Sequence, residues 1–141
     1  MSRIVYTRHT RIEWGDCDPA GIVFYPRFLA LFDSCTTALF SQQLGMNKFE
    51  FSHKYDFAYP MVDTRARFLK PARYGDDVVI ETWIAEFRRS SFDVHHRLLK
   101  DGELSVECFD TRVCVQPHPT DPAKIKSKPI PPEVLAAFNA G

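Results

Sequence analysis

One long segment of helical period, residues 26–43, stands in a chain whose other ordered stretches have the period of a strand, and this pairing limits the fold more than any other feature. Phe28, Leu29, Phe32, Cys35, Leu39 and Phe40 recur at three- and four-residue steps and so share one helix face. Pro26 suits the first helical position, where its missing N–H is no loss, and Gly45 stands where a left-handed cap would end the helix. At about 1.5 Å per residue the helix would be roughly 27 Å long. Leu31 and Ala38 widen its apolar face beyond one stripe, so neighbours must cover most of it.

Residues 4–13 are rich in β-branched and aromatic types with partial alternation and predict a strand ending at Trp14-Gly15. Past the helix, residues 46–55 are ambiguous, a short helical turn being one reading. Four strand segments then follow, at 57–69, 77–88, 91–100 and 103–116, punctuated by Pro71, Gly75 and Asp101-Gly102. Asp-Gly between two such runs is a hairpin signal, and only Arg89 and Ser90 join the 77–88 and 91–100 runs, so both pairs should be antiparallel. Six of the ten prolines fall in residues 117–132, which read as extended loop before a short amphipathic helix at 132–139. With no internal repeat, the order predicts one domain, residues 1–141, of α+β class: a long central helix wrapped by a five-stranded, mainly antiparallel sheet.

Eighteen basic residues balance eighteen acidic ones, which removes the general field that a phosphate-binding nucleic-acid protein would carry. No run approaches the roughly 18 apolar residues of a membrane span, and MSRIVYTRHT lacks the apolar core of a signal peptide, so a cytosolic location is expected. Cys17, Cys35, Cys108 and Cys114 are too dispersed for a zinc ribbon or CxxC pair and are expected to be free thiols. Cys108 and Cys114 would face the same side of a regular strand, buried as small hydrophobes.

The candidate chemistry lies in residues 15–26, GDCDPAGIVFYP, which couple carboxylates to a helix N-terminus. Unpaired amides there can donate to an oxyanion while a nearby carboxylate acts as base or nucleophile, an arrangement suited to acyl transfer. The competing reading is that Asp16 and Asp18 only shape turns. The run from Arg11 to Pro26, RIEWGDCDPAGIVFYP, closely resembles the opening motif of the 4-hydroxybenzoyl-CoA thioesterase family, hot-dog-fold enzymes that hydrolyse acyl-CoA thioesters. The resemblance is densest over residues 11–33, and the order of elements extends it over 4–116.

It implies that Asp18 is the catalytic carboxylate and that the Tyr25 backbone N–H polarises the thioester carbonyl. The turn at Glu86–Phe92 is similar to the family's CoA-phosphate turn, which implies that Arg88, Arg89 and Ser91 hold phosphate; paired arginine donors suit that task. It also implies an acyl-CoA substrate, a homo-oligomer (a dimer at minimum, a tetramer by family habit), and Arg88 and Arg89 serving a neighbour's site. The chain departs from the nearest members over residues 46–67, which leaves the acyl group open between aromatic and short chains. Tyr25-Pro26 stands where many related enzymes place a His and follows the aromatic-acyl branch. Phe24, Tyr25, Phe57, Tyr59 and Met61 would serve as an aromatic-accepting pocket or as core. Lys70, Arg73, Lys124, Lys126 and Lys128 are further phosphate candidates that the sequence does not rank.

No cofactor is expected. His95 and His96 alternate faces in a strand and cannot turn to one metal, and no GxSxG, GxxxxGK[ST] or GxGxxG pattern occurs. Cys17 has no neighbouring His to activate it. A hot-dog dehydratase would use a helix His, and residues 26–43 contain none. The alternative function is a non-catalytic acyl-CoA or acyl-carrier binding subunit of the same fold.

Overall fold

The computed structural model describes residues 3–116 and 120–139. Its elements are β1 (Tyr6–Arg11), α1 (Pro26–Leu44), α2 (Lys48–Lys54), β2 (Met61–Phe68), β3 (Asp77–Phe87), β4 (Ser91–Lys100), β5 (Glu103–Val113), β6 (Val115–Gln116), β7 (Lys126–Ser127) and α3 (Pro132–Asn139). Five strands form one sheet in the order β1-β3-β4-β5-β2, every neighbouring pair antiparallel, while β6 and β7 make a separate two-stranded ribbon. Helix α1 packs on one face of the large sheet.

The signals that define α1 act as expected. Pro26 occupies the first turn, and Gly45 adopts φ 71° with its N–H donated to the Ser41 carbonyl at 2.9 Å. At the β4–β5 turn Asp101 and Gly102 have φ of 52° and 76°, the left-handed pair that a two-residue hairpin turn requires. The ambiguous stretch is α2, nucleated by a capping box: Asn47 Oδ1 accepts the Glu50 N–H at 2.9 Å and Glu50 Oε1 accepts the Asn47 N–H at 3.1 Å.

Two apolar clusters lie along α1. At its N-terminal half Phe28, Phe32 and Cys35 meet Ile12, Ile80, Leu98 and Val106. At its C-terminal half Phe40 meets Phe51, Phe57, Tyr59, Phe92, Ile130 and Val134. The second cluster draws residues from α2, α3 and the segment before β2, and this explains two differences from the expected strands. The 57–69 run enters the sheet only at Met61, because Phe57 and Tyr59 turn into the cluster and Ala58 pairs with Val115 instead. The expected 103–116 strand stops at Val113, since the Cys114 carbonyl accepts the Lys128 N–H at 3.0 Å and Val115 pairs with Ser127 in the separate ribbon. Cys108 and Cys114 are both buried and free, as predicted, but in different clusters. Of the predicted extended tail, residues 117–119 lie outside the described residues; the rest contains a one-turn 3-10 helix, Pro122–Lys124, and β7.

Edge strand β2 is open to solvent on both faces, with Met61, Val62 and Phe68 exposed. Among the described residues no group of His, Cys, Asp and Glu could hold a metal ion, and no helix is long and apolar enough to cross a membrane.

Candidate active site

The Gly15–Pro26 loop is a tight hairpin. Phe24 donates its N–H to the Asp16 carbonyl at 2.8 Å, Cys17 bridges Val23, and Asp18 donates to Ile22 at 2.9 Å. Gly21, at φ 82°, closes the turn with its N–H on the Asp18 carbonyl at 2.9 Å. The outer arm is pinned in turn, since Val23 donates to Ala72 and Tyr74 to Gly21, both at 2.9 Å. The turn formers predict an irregular loop here; instead a ladder fixes the carboxylate-bearing turn relative to the start of α1, through the Asp16–Phe24, Cys17–Val23 and Asp18–Ile22 pairs. Asp18 Oδ1 accepts the Ala20 N–H at 2.8 Å, which fixes the side chain, and its second oxygen has no hydrogen-bond partner among the described residues.

Tyr25 is the residue before the first turn of α1 and already has helical φ and ψ of −53° and −35°. The Arg27 N–H bonds the Phe24 carbonyl at 2.8 Å and the Phe28 N–H bonds that of Tyr25 at 3.1 Å. The Tyr25 N–H has no acceptor among the described residues. It is therefore an open donor at the positive end of a 19-residue helix.

A cavity of about 260 Å³ adjoins it, walled by Ile22, Val23, Tyr25, Phe28, Phe68 and Ala72, with Lys70 also in its lining. A dry apolar cavity of about 150 Å³ suffices for a benzene ring, so this one has room for a substituted ring or a short acyl chain. Tyr25 thus stands in the wall, whereas Asp18 does not line the cavity and sits opposite Ile22, which does.

The other pocket candidates fall differently. Phe57 and Tyr59 are 1% and 3% exposed inside the second cluster, so they are core and do not line this cavity; Phe24 and Met61 are exposed outside the cavity wall. Lys128 is committed elsewhere, donating to the carbonyls of Tyr55 at 3.1 Å and Asp56 at 2.8 Å, where α2 ends.

The Arg88–Ser91 turn lies at the far end of the sheet. Arg11, just ahead of the Asp18 hairpin, pairs with Asp77 at the start of β3, and Phe87 is ten residues on. At about 3.3 Å per residue this is roughly 33 Å, so one chain does not bring the turn to Asp18. Arg88 is occupied: Nη2 and Nη1 reach the two Asp93 oxygens at 2.8 and 2.9 Å, Nη1 also reaches Glu86 at 3.1 Å, and Nε donates to Ser91 Oγ at 2.9 Å. The Arg88 hydrogen bonds hold the Asp93 carboxyl below its ordinary range against the opposing effect of burial. Arg89 is exposed and its side chain has no partner among the described residues, so the two arginines are not equivalent.

Sequence reading missed a polar network inside the first half of the sheet. His96 is 1% exposed and its Nε2 lies 3.1 Å from Asp110 Oδ2, while Thr82 Oγ1 is 2.8 Å from its Nδ1. Asp110 Oδ1 also accepts from Thr64 at 2.6 Å, and Phe32 of α1 stacks on the imidazole at 4.8 Å. Burial pushes the His96 pKa down despite Asp110, so the ring is neutral, with Nε2–H donating to Asp110 and Nδ1 accepting from Thr82. Burial alone would raise Asp110, but hydrogen bonds from His96 and Thr64 bring it below the usual carboxylate value. Nearby, buried Arg112 reaches Asp33 of α1 at 2.6 Å and the Tyr59 carbonyl at 3.1 Å. The signal was present in the alternation: His96 shares its phase with Val94 and Leu98, and Asp110 and Arg112 share theirs with Val106 and Cys108.

Comparison with known proteins converges on one family. The sequence profile of the thioesterase-like superfamily matches residues 12–138. The chain is similar to the 4-hydroxybenzoyl-CoA thioesterase of Pseudomonas sp. strain CBS-3, 33% identical over 120 residues, covering 80% of this chain and 84% of that one. The solved structure of that enzyme superposes with a TM-score of 0.84 at 29% identity, covering 96% of this chain and 99% of the other. A gentisyl-coenzyme A thioesterase superposes with a TM-score of 0.81, also at 29% identity, over 94% and 99% of the two chains. With a matching profile over most of its length and the same helix-on-sheet architecture, the chain belongs to the thioesterase-like superfamily and has the hot-dog fold.

Proposed function

We propose that the protein is an acyl-CoA thioesterase that hydrolyses an aromatic or short acyl-CoA to the free acid and CoA in the cytosol. The observation that carries this reading is the open Tyr25 N–H at the head of α1, in the wall of an apolar cavity and beside the hairpin that holds Asp18. The thioester oxygen accepts from the Tyr25 amide, and the helix end stabilises the charge that develops there as the carbonyl carbon is attacked. Asp18 either takes a proton from the attacking water or attacks directly; in both routes water supplies the acid's second oxygen and the CoA thiolate leaves with a proton. The cavity's size and the aromatic substrates named for the two similar thioesterases favour an aromatic acyl group.

The CoA phosphates meet Arg89 and the turn at Arg88–Ser91. Because that turn is roughly 33 Å along the sheet from Asp18, it belongs to another copy's site. The exposed apolar edge of β2, with Met61, Val62 and Phe68, favours the same homo-oligomer, a dimer at minimum and a tetramer as the family resemblance implies. The test is thiol release from benzoyl-, 4-hydroxybenzoyl- and short aliphatic-CoA esters by purified protein. Release from none of them would end the catalytic reading, and a monodisperse monomer at micromolar concentration would end the shared site.

A further inference from the structure

We infer that the C-terminal segment from Lys128 to Asn139 is a positioning element for the turn at Arg88–Ser91, acting through the Ile130 N–H, and that it leaves the turn's amides open for an anionic phosphate group. The inference rests on the proposed CoA-ester activity, because it concerns how that substrate's phosphates are held.

Three of the turn's four carbonyls, those of Arg89, Ser90 and Ser91, are tied inward. Arg89 O accepts the Ile130 N–H at 2.9 Å, Ser90 O accepts the Cys114 N–H at 2.6 Å, and Ser91 O accepts the Arg88 N–H at 2.8 Å. An antiparallel pair ordinarily exchanges both bonds, so Ser90 N–H would be expected on the Cys114 carbonyl. That carbonyl instead accepts the Lys128 N–H at 3.0 Å. Among the described residues the amides of Arg89 and Ser90 then have no acceptor, although both carbonyls are satisfied. Two successive open amides, one of them from a residue with an unpaired guanidinium, supply donors suited to phosphate oxygens.

The segment is anchored well enough to impose this. Ile130 and Val134 are buried, the Phe138 ring lies 5.2 Å from both Phe40 and Phe87, and Gln43 donates to the Ala137 carbonyl at 3.0 Å. A tie from Ile130 to Arg89 therefore connects the turn to the second apolar cluster, a route independent of the Arg88–Asp93 ion pair. Ile130 is buried and acts through the backbone of Arg89.

The experiment compares steady-state kinetics on an acyl-CoA and on the same acyl group carried by N-acetylcysteamine, which has the thioester but no phosphates. Ile130→Pro deletes the N–H, and Ile130→Ala keeps it while trimming the side chain. The expected result is a KM for the CoA ester raised roughly tenfold by Ile130→Pro, less by Ile130→Ala, with kcat held and kcat/KM for the cysteamine ester unmoved. An unchanged KM, or equal losses on both esters, overturns the inference. Should Ile130→Pro not fold, Phe138→Ala loosens the same anchor from outside: a KM rise confined to the CoA ester supports the role, and none overturns it. Wild-type protein that hydrolyses both esters with equal KM would remove the phosphate reading of the turn and this inference with it. Wild-type preference for CoA combined with an indifferent Ile130→Pro would sink the inference alone.

Discussion

The imidazole of His96 and the carboxylate of Asp110 meet at 3.1 Å in a part of the core that water does not reach, the two side chains being 0% and 2% exposed. Partners on Thr64, Thr82 and Cys108 surround them, so the network joins β2, β3, β4 and β5, and Phe32 caps it from α1. Four strands thus share one set of hydrogen bonds whose members have few alternatives, and the helix that follows Tyr25 packs on it through the Phe32 ring.

That network predicts how stability depends on pH. The folded-state pKa of His96 is held below 6.5 by burial, so below about pH 6.5 the unfolded chain binds a proton that the folded one refuses. Its contribution is full above that value and is lost as pH falls toward the folded pKa. Asp110, also lowered, adds a second loss only below its ordinary value of 3.8. Tm should fall as pH is taken from about 7.5 to about 5, and His96→Gln should start lower but fall less steeply. His95, lowered chiefly by partial burial, leaves a residual slope of the same sign. Parallel Tm–pH curves for wild type and variant would show that another group sets the dependence.

Asp18→Asn separates chemistry from structure, because the asparagine carbonyl can keep the bond from the Ala20 N–H while losing the charge. Turnover should drop by about 10²- to 10⁴-fold, the range that general-base assistance supplies, with Tm almost unmoved. Wild-type turnover in the variant would remove Asp18 from the mechanism.

The two arginines of the far turn should part company. Arg89→Ala removes an unpartnered cation, so KM for the acyl-CoA should rise while kcat and Tm hold. Arg88→Ala frees Asp93 and unties Ser91, so it should lower Tm as well as raise KM. The stability loss stays within about 1 kcal/mol because Arg88 is 39% exposed and solvent screens its ion pairs. A KM change with Arg88→Ala alone would reverse the assignment of roles.

What sequence could reveal follows the range of the interactions. Helix α1, the Asp101-Gly102 turn and the β3–β4 pair rest on contacts within a few residues, and their signals stand in the chain as periodicity, Pro26 and Gly45. Phe57 and Tyr59 were equally apolar as pocket or core, and only the second cluster, assembled from α1, α2, β4 and α3, decides between them. Asp18 and Tyr25 are seven residues apart in sequence, yet their relation depends on a hairpin ladder that turn propensity does not specify. Arg88 and Arg89 look alike in sequence; Asp93 distinguishes them by capturing one.

Phe40 is the side chain on which the second cluster turns. Its ring centroid lies 5.0 Å from Tyr59, 5.2 Å from Phe138, 5.4 Å from Phe92 and 6.2 Å from both Phe51 and Phe57. These partners come from α2, α3, β4 and the segment before β2, so cutting Phe40 back leaves a cavity where all of them meet. Phe40→Ala should therefore cost about 3–5 kcal/mol in urea unfolding, whereas Phe49→Ala, at a ring 73% exposed, should stay within about 0.5 kcal/mol. Because α3 and the turn at Arg88–Ser91 lean on this cluster, the loss should also appear as a higher KM for the CoA ester before kcat changes. A Phe40→Ala cost near that of Phe49→Ala would mean that the far end of α1 is not held by this cluster.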